Sequence, residues 1–146
     1  MFYTNRENNI LKKINLYEIR MFYVIKKEDI QMEKNLKTYL FVCWANMQRS
    51  PTAEEVAKGL LEANGMKIKT KSAGLSPLSE QPINKTLVNE AGLIFVMEEY
   101  MKTFITKQYG IEPGRIINLD IPDIYEKNNP RLIQILTEKL KPFIVR

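Results

Sequence analysis

A chain of 146 residues, 45% hydrophobic and 27% charged, is long enough to bury a proper core and has the balance of an ordinary globular domain. It holds no histidine and a single cysteine, which excludes Ser-His-Asp and Cys-His catalysis, most zinc and iron sites and any internal disulfide. The net charge of +5 does not describe a nucleic-acid-binding face: residues 1–37 carry 8 basic against 5 acidic side chains, residues 38–146 only 14 against 12, scattered rather than striped.

Residues 1–37 contain no Gly, Pro, Ala, Ser or Cys and are dominated by Asn, Lys, Ile, Tyr and Glu. Leu11, Ile14, Tyr17 and Glu18 sketch a weak amphipathic helix, and Met21 to Ile25 a short strand, neither continuous with the pattern from Thr38 onward. Met21 and Met32 each fit a translation start. The leader 1–37 is therefore expected outside the core, as a disordered appendage or a start-site artefact, with residues 38–146 forming the domain. No apolar run approaches the ~20 residues of a membrane helix, and the N-terminus has no secretory-type segment. No membrane partner is expected, and the lone cysteine fits a reducing cytoplasm.

From Thr38 the pattern alternates strand and helix. Thr38–Val42 reads as a buried parallel strand, and Ala53, Val56, Ala57, Leu60 and Leu61 as one face of a helix stopped by Asn64 and Gly65. Lys67–Lys71 alternates as an edge strand, Ser72–Asn84 is a loop, and a short helix comes next near Lys85–Glu90. Leu93–Met97 is a second buried strand, leading into a helix from about Glu98 to Tyr109 with acidic residues in its first turn and Gly110 after its end. Arg115–Leu119 is a fourth strand. Asn129 caps a last helix with Pro130 at its first position and Leu132, Ile133, Leu136, Leu140 and Phe143 facing inward. Such alternation implies a four-stranded parallel sheet flanked by helices on both faces, with ligands at the carboxyl ends of the strands. Cys43 and Asp120, each directly after a strand, belong at that edge.

The chemistry concentrates in Cys43-Trp44-Ala45-Asn46-Met47-Gln48-Arg49-Ser50-Pro51, at a strand-to-helix turn. The peptide N–H groups of such a turn can curl around one tetrahedral oxyanion, Arg49 can clamp two of its oxygens, and the helix start adds partial positive charge. The same field favours thiolate over thiol at Cys43 and makes it a nucleophile aimed at phosphorus. Ser50 and Pro51 fit the N-cap and first helical positions. The plain reading is a buried cysteine closing a core strand, with Arg49 at the surface. Four polar side chains crowded into one tight turn without a glycine count against it.

These residues resemble the low-molecular-weight protein tyrosine phosphatases, in particular the short bacterial and archaeal variety. The resemblance is carried by Leu40 through Cys43, Arg49 through Glu54, Ser72-Ala73-Gly74, Leu93 through Met97, and Leu119-Asp120-Ile121-Pro122-Asp123-Ile124-Tyr125, in the family's order over roughly residues 36–145. It implies the phosphotyrosine protein phosphatase I-like fold. Cys43 then matches the nucleophile, Arg49 the phosphate clamp, Asn46 the asparagine that shapes the loop and Ser50 a hydroxyl supporting the thiolate.

The family's general acid is an aspartate followed directly by proline, whereas this chain offers Asp120-Ile121-Pro122-Asp123. Strand alignment favours Asp120; adjacency to proline and Tyr125 favours Asp123. Asp120 is preferred, and the plain reading of either is a turn-capping aspartate. Gln48 stands where many relatives carry a second, protective cysteine, which leaves Cys43 open to irreversible oxidation. Ala45 replaces the usual loop glycine, and the stretch from Gly74 to Leu93 is shortened. Trp44 is either a platform for a substrate ring or core packing beneath the loop.

The resemblance implies a phosphomonoester hydrolase working through phosphocysteine on a phosphorylated protein or a small aryl phosphate, with no metal or cofactor. The expected substrate-binding set is Trp44, Ala45, Asn46, Met47, Gln48, Ser50 and Tyr125. The alternatives are an oxyanion- or phosphoprotein-binding module without activity, and an arsenate reductase borrowing an external thiol.

Overall fold

In the computed structural model the described residues are 38–144; the expectations for residues 1–37 lie outside them. Four strands, β1 (Thr38–Cys43), β2 (Lys69–Gly74), β3 (Leu93–Val96) and β4 (Ile116–Asn118), pair in parallel in the order β2-β1-β3-β4. They alternate with helices α1 (Arg49–Ala63), α2 (Lys85–Glu90), α3 (Glu99–Tyr109) and α4 (Pro130–Ile144), and a 3₁₀ turn at Pro113–Arg115 precedes β4. The α/β architecture expected from the sequence is the one observed.

The apolar runs become strands because they sit mid-sheet with both faces covered, where a parallel strand needs no polar alternation. Every residue of β1 is buried. Phe41 stacks on Phe95 of β3 at 4.9 Å, and Phe143 of α4 meets Phe95 edge-on at 5.3 Å. β2 lies at the sheet edge as expected, but it runs Lys69–Gly74, into the stretch read as loop, and its burial deepens toward Gly74 instead of alternating. Gly110, with φ 64°, ends α3 in the left-handed conformation a helix stop requires.

Two helical details depart from the sequence reading. Helix α1 begins at Arg49 rather than after a Ser50 cap, and its N-cap position, Gln48, makes no capping side-chain bond. On α4 the inward stripe is Leu132, Leu136, Leu140 and Ile144, spaced four apart; Ile133 flanks it at 37% exposure and Phe143 is only partly buried.

From β1 the chain moves outward to β2, then crosses to β3 on the other side of β1. That reversal opens a crevice between the carboxyl ends of β1 and β3, which is where the site forms. Gly74 closes one flank. A Cβ on it would lie 2.1 Å from Ser79 Oγ and 2.8 Å from the Trp44 carbonyl oxygen. That carbonyl also accepts the Ser76 N–H at 2.9 Å, so neither neighbour can retreat cheaply. Gly74→Ala is expected to cost ~1–3 kcal/mol through overpacking, read as a lower urea midpoint at constant slope. An unchanged midpoint would show that the loop yields freely.

Candidate active site

Cys43 ends β1 with its thiol buried at 3% exposure. Its Sγ lies 3.0 Å from Ser50 Oγ and accepts the Asn46 N–H at 3.2 Å. The Asn46 side chain donates to Ser50 Oγ at 2.9 Å, so the serine's own proton is free for another acceptor. Of its two acceptors, the sulfur is nearer than the Ala73 carbonyl at 3.4 Å. Asn46 therefore directs the Ser50 hydroxyl at the sulfur, so that two hydrogen-bond donors face it. This explains why Ser50 sits inside the helix rather than capping it.

Asn46 has φ 56°, a left-handed conformation that asparagine tolerates better than most residues. It lets the loop turn back over the sulfur without a glycine. Arg49, with 2% exposure, is buried beside it. One guanidinium nitrogen donates to Glu98 Oε2 at 2.8 Å and to the Ile121 carbonyl at 2.7 Å. Its Nε faces Asp123 Oδ1 at 3.6 Å, an ion pair outside hydrogen-bond range. A cavity of about 220 Å³ is lined by Cys43, Trp44, Ala45, Met47, Gln48, Arg49 and Asp123.

The structure thus brings together most of the residues singled out in the sequence. Trp44 and Met47 flank the cavity at 52% and 63% exposure, so Trp44 is not the core plug its sequence also allowed. Ala45 and Gln48 are half-buried in its wall. Asp123 lines it and Asp120 does not. The preference for Asp120 is not supported by its placement: φ is 53°, its N–H bonds to Asn118 Oδ1 at 2.8 Å and its carbonyl accepts from Lys139 at 3.0 Å. Those are the features of a turn residue. Tyr125 packs half-buried against the core and does not line the cavity.

Two neighbours went unseen in the sequence. Glu98, just beyond β3, looked like the acidic start of a helix, yet its carboxylate holds Arg49 across the crevice. Tyr100, half exposed, sits in the same field: burial and then the Glu98 carboxylate push its phenol above the usual range, against the pull of Arg49. The topology could have found both, since the segment leaving β3 must face the segment leaving β1.

Glu98 fixes one edge of the guanidinium and also competes with an incoming anion for its charge. Glu98→Gln keeps the hydrogen bond but drops the charge. It is expected to lower stability by ~1–3 kcal/mol without ligand, and inorganic phosphate should raise its melting temperature more than it raises the parent's. Equal phosphate shifts in the two proteins would show that Glu98 does not compete.

The sheet order, the strand-end cysteine and the loop folded over its sulfur define the class, an α/β protein with a Cys-x5-Arg-Ser cradle at the carboxyl edge of its sheet. Residues 38–93 match the family described as Low molecular weight phosphotyrosine protein phosphatase, which bears out the resemblance read from the sequence. Solved structures of that kind share the fold. A low molecular weight protein tyrosine phosphatase from T. tengcongensis is 21% identical with a TM-score of 0.63, over 73% of this chain and 97% of that one. The tyrosine phosphatase Wzb from Escherichia coli K30, in complex with phosphate, is 20% identical with a TM-score of 0.62, over 77% and 94%. A YwlE mutant from Bacillus subtilis is 22% identical with a TM-score of 0.61, over 73% and 95%. No curated protein matches the chain.

Proposed function

We propose that the chain is a phosphomonoester hydrolase of the low-molecular-weight phosphotyrosine phosphatase type, acting on phosphorylated proteins or aryl phosphates. The observation that carries the reading is the shared cavity of Cys43, Arg49 and Asp123, with the Ser50 hydroxyl and Asn46 N–H on the sulfur. In the proposed reaction Cys43 thiolate attacks phosphorus, forming a P–S bond as the P–O bond to the leaving group breaks. Arg49 and the loop amides stabilise the equatorial oxygens. Asp123 protonates the departing oxygen, then takes a proton from the water that cleaves the phosphocysteine, releasing phosphate and thiolate.

Trp44 and Met47 offer an apolar rim that suits an aromatic leaving group. One structural neighbour, a YwlE protein, is described as an arginine phosphatase, so phosphoarginine belongs in the substrate panel. A cytoplasmic site of action accords with the single cysteine, and among the described residues no helix is long and apolar enough to cross a membrane.

The test is steady-state hydrolysis of p-nitrophenyl phosphate beside phosphotyrosine, phosphoserine and phosphoarginine peptides. Turnover of p-nitrophenyl phosphate and phosphotyrosine, with competitive inhibition by vanadate, is expected. Phosphate binding without turnover would make the chain a binding module instead. Arsenate reduction with added thiol and no ester hydrolysis would make it a reductase.

A further inference from the structure

The loop that carries Asp123 is tied down at both ends. At its start, Lys139 Nζ of α4 donates to the carbonyls of Leu119 at 2.6 Å and Asp120 at 3.0 Å, and the Ile121 N–H donates to the Met97 carbonyl at 2.8 Å. At its end, two consecutive amides meet two side chains, one from the loop over the sulfur and one from the first turn of α1. The Lys127 N–H donates to Gln48 Oε1, and the Asn128 N–H donates to Thr52 Oγ1 at 3.0 Å. Asn128, with φ 62°, turns the chain at this point.

Thr52 is fully buried and makes a second bond, its hydroxyl donating to the Gln48 carbonyl at 2.7 Å. A threonine bonded back to residue i−4 is by itself a local helix habit. The bond from Asn128, 76 positions away in sequence, is not local. Gln48 belongs to the loop that turns over the sulfur, yet its side-chain oxygen is given to the opposite loop. Between the two anchors lies Pro122 to Glu126, and Asp123 in that stretch meets Arg49 only at 3.6 Å, beyond hydrogen-bond range.

Resting on the phosphatase reading above, we propose that Gln48 and Thr52 are positioning residues that latch the acid loop to the phosphate loop and hold Asp123 over Cys43. Without the latch the cradle and its sulfur remain, but the acid drifts. A displacement near 1 Å costs up to ~10²-fold where a proton must be delivered in flight. Steps that need no acid are indifferent to it.

Thr52→Val and Gln48→Leu each remove one acceptor in the full chain, and Thr52→Ser restores one. Turnover of aryl phosphates is measured against leaving-group pKa, alongside the rate of Cys43 alkylation by iodoacetate. Both acceptor-less variants are expected to lose roughly tenfold to a hundredfold on the poorest leaving groups and little on the best. In Thr52→Val, whose site lies outside the cavity wall, alkylation should stay within about twofold of the parent, and Thr52→Ser should recover the parent slope. If buried Thr52→Val does not fold, half-buried Gln48→Leu carries the test. An active parent whose variants keep its slope, or lose all substrates equally with slowed alkylation, overturns the latch alone. A parent without phosphatase activity overturns the functional reading and the latch with it.

Discussion

Cys43→Ser is expected to reduce phosphate-ester hydrolysis by ~10⁴-fold or more, the scale on which removing a covalent nucleophile acts. That corresponds to about 5 kcal/mol of barrier. The substitution is nearly isosteric, and every neighbour of the sulfur can serve an oxygen. Ser50 lies 3.0 Å away and the Asn46 N–H 3.2 Å, both able to bond a hydroxyl. What is lost is the sulfur itself, since a serine hydroxyl is a far weaker nucleophile toward phosphorus than a cysteine sulfur. The fold and the oxyanion cradle should therefore survive. Urea unfolding of the variant should match the parent, and inorganic phosphate should still stabilise it through Arg49 and the loop amides. Turnover within tenfold of the parent would show that the sulfur is not the nucleophile. Loss of phosphate stabilisation would show instead that the substitution collapsed the loop.

Much of this site was legible because strand-to-helix punctuation is local. The buried run ending at Cys43, the helix stop at Asn64 and Gly65, and Asn129 before Pro130 all announce themselves within a few residues. The Asn129 carboxamide does accept the Arg131 and Leu132 N–H groups, at 2.8 and 3.4 Å. Ser50 misled because Ser-Pro is a strong helix-start signature. In the fold its hydroxyl is directed at the sulfur, and the helix begins two residues earlier than that signature places it, at Arg49 instead of Pro51. Asp120 is placed differently from what its position after a strand suggests. Sequence alignment carries an aspartate from the end of β4 straight to the catalytic edge, but the strand stops at Asn118 and the chain turns left-handed at Asp120. The Glu98–Arg49 pair and the Gln48–Lys127 bond span 49 and 79 positions, so no window of sequence contains both partners. Their existence is dictated only by the order of the strands.

The acid is where sequence and structure part, and its replacement separates them. Expelling an alkoxide or phenoxide needs a proton, so loss of the true acid lowers turnover by ~10²–10⁴-fold. Asp123→Asn is expected to show that loss, steepest for poor leaving groups, with Cys43 alkylation almost unaffected. It also removes an ion-pair partner from Arg49 at 3.6 Å; because the Asp123 side chain is 66% exposed, the cost to stability should be small. Asp120→Asn should leave the leaving-group dependence alone and act, if at all, through stability, since its backbone rather than its carboxylate holds the turn. The two variants are compared on aryl phosphates of graded leaving-group pKa. A steeper dependence for Asp120→Asn with a flat response for Asp123→Asn would restore the strand-based alignment and would mean that the loop rearranges when substrate binds. No steepening in either, with an active parent, would remove aspartate from the mechanism and direct the search to Glu98, the other carboxylate within reach of Arg49.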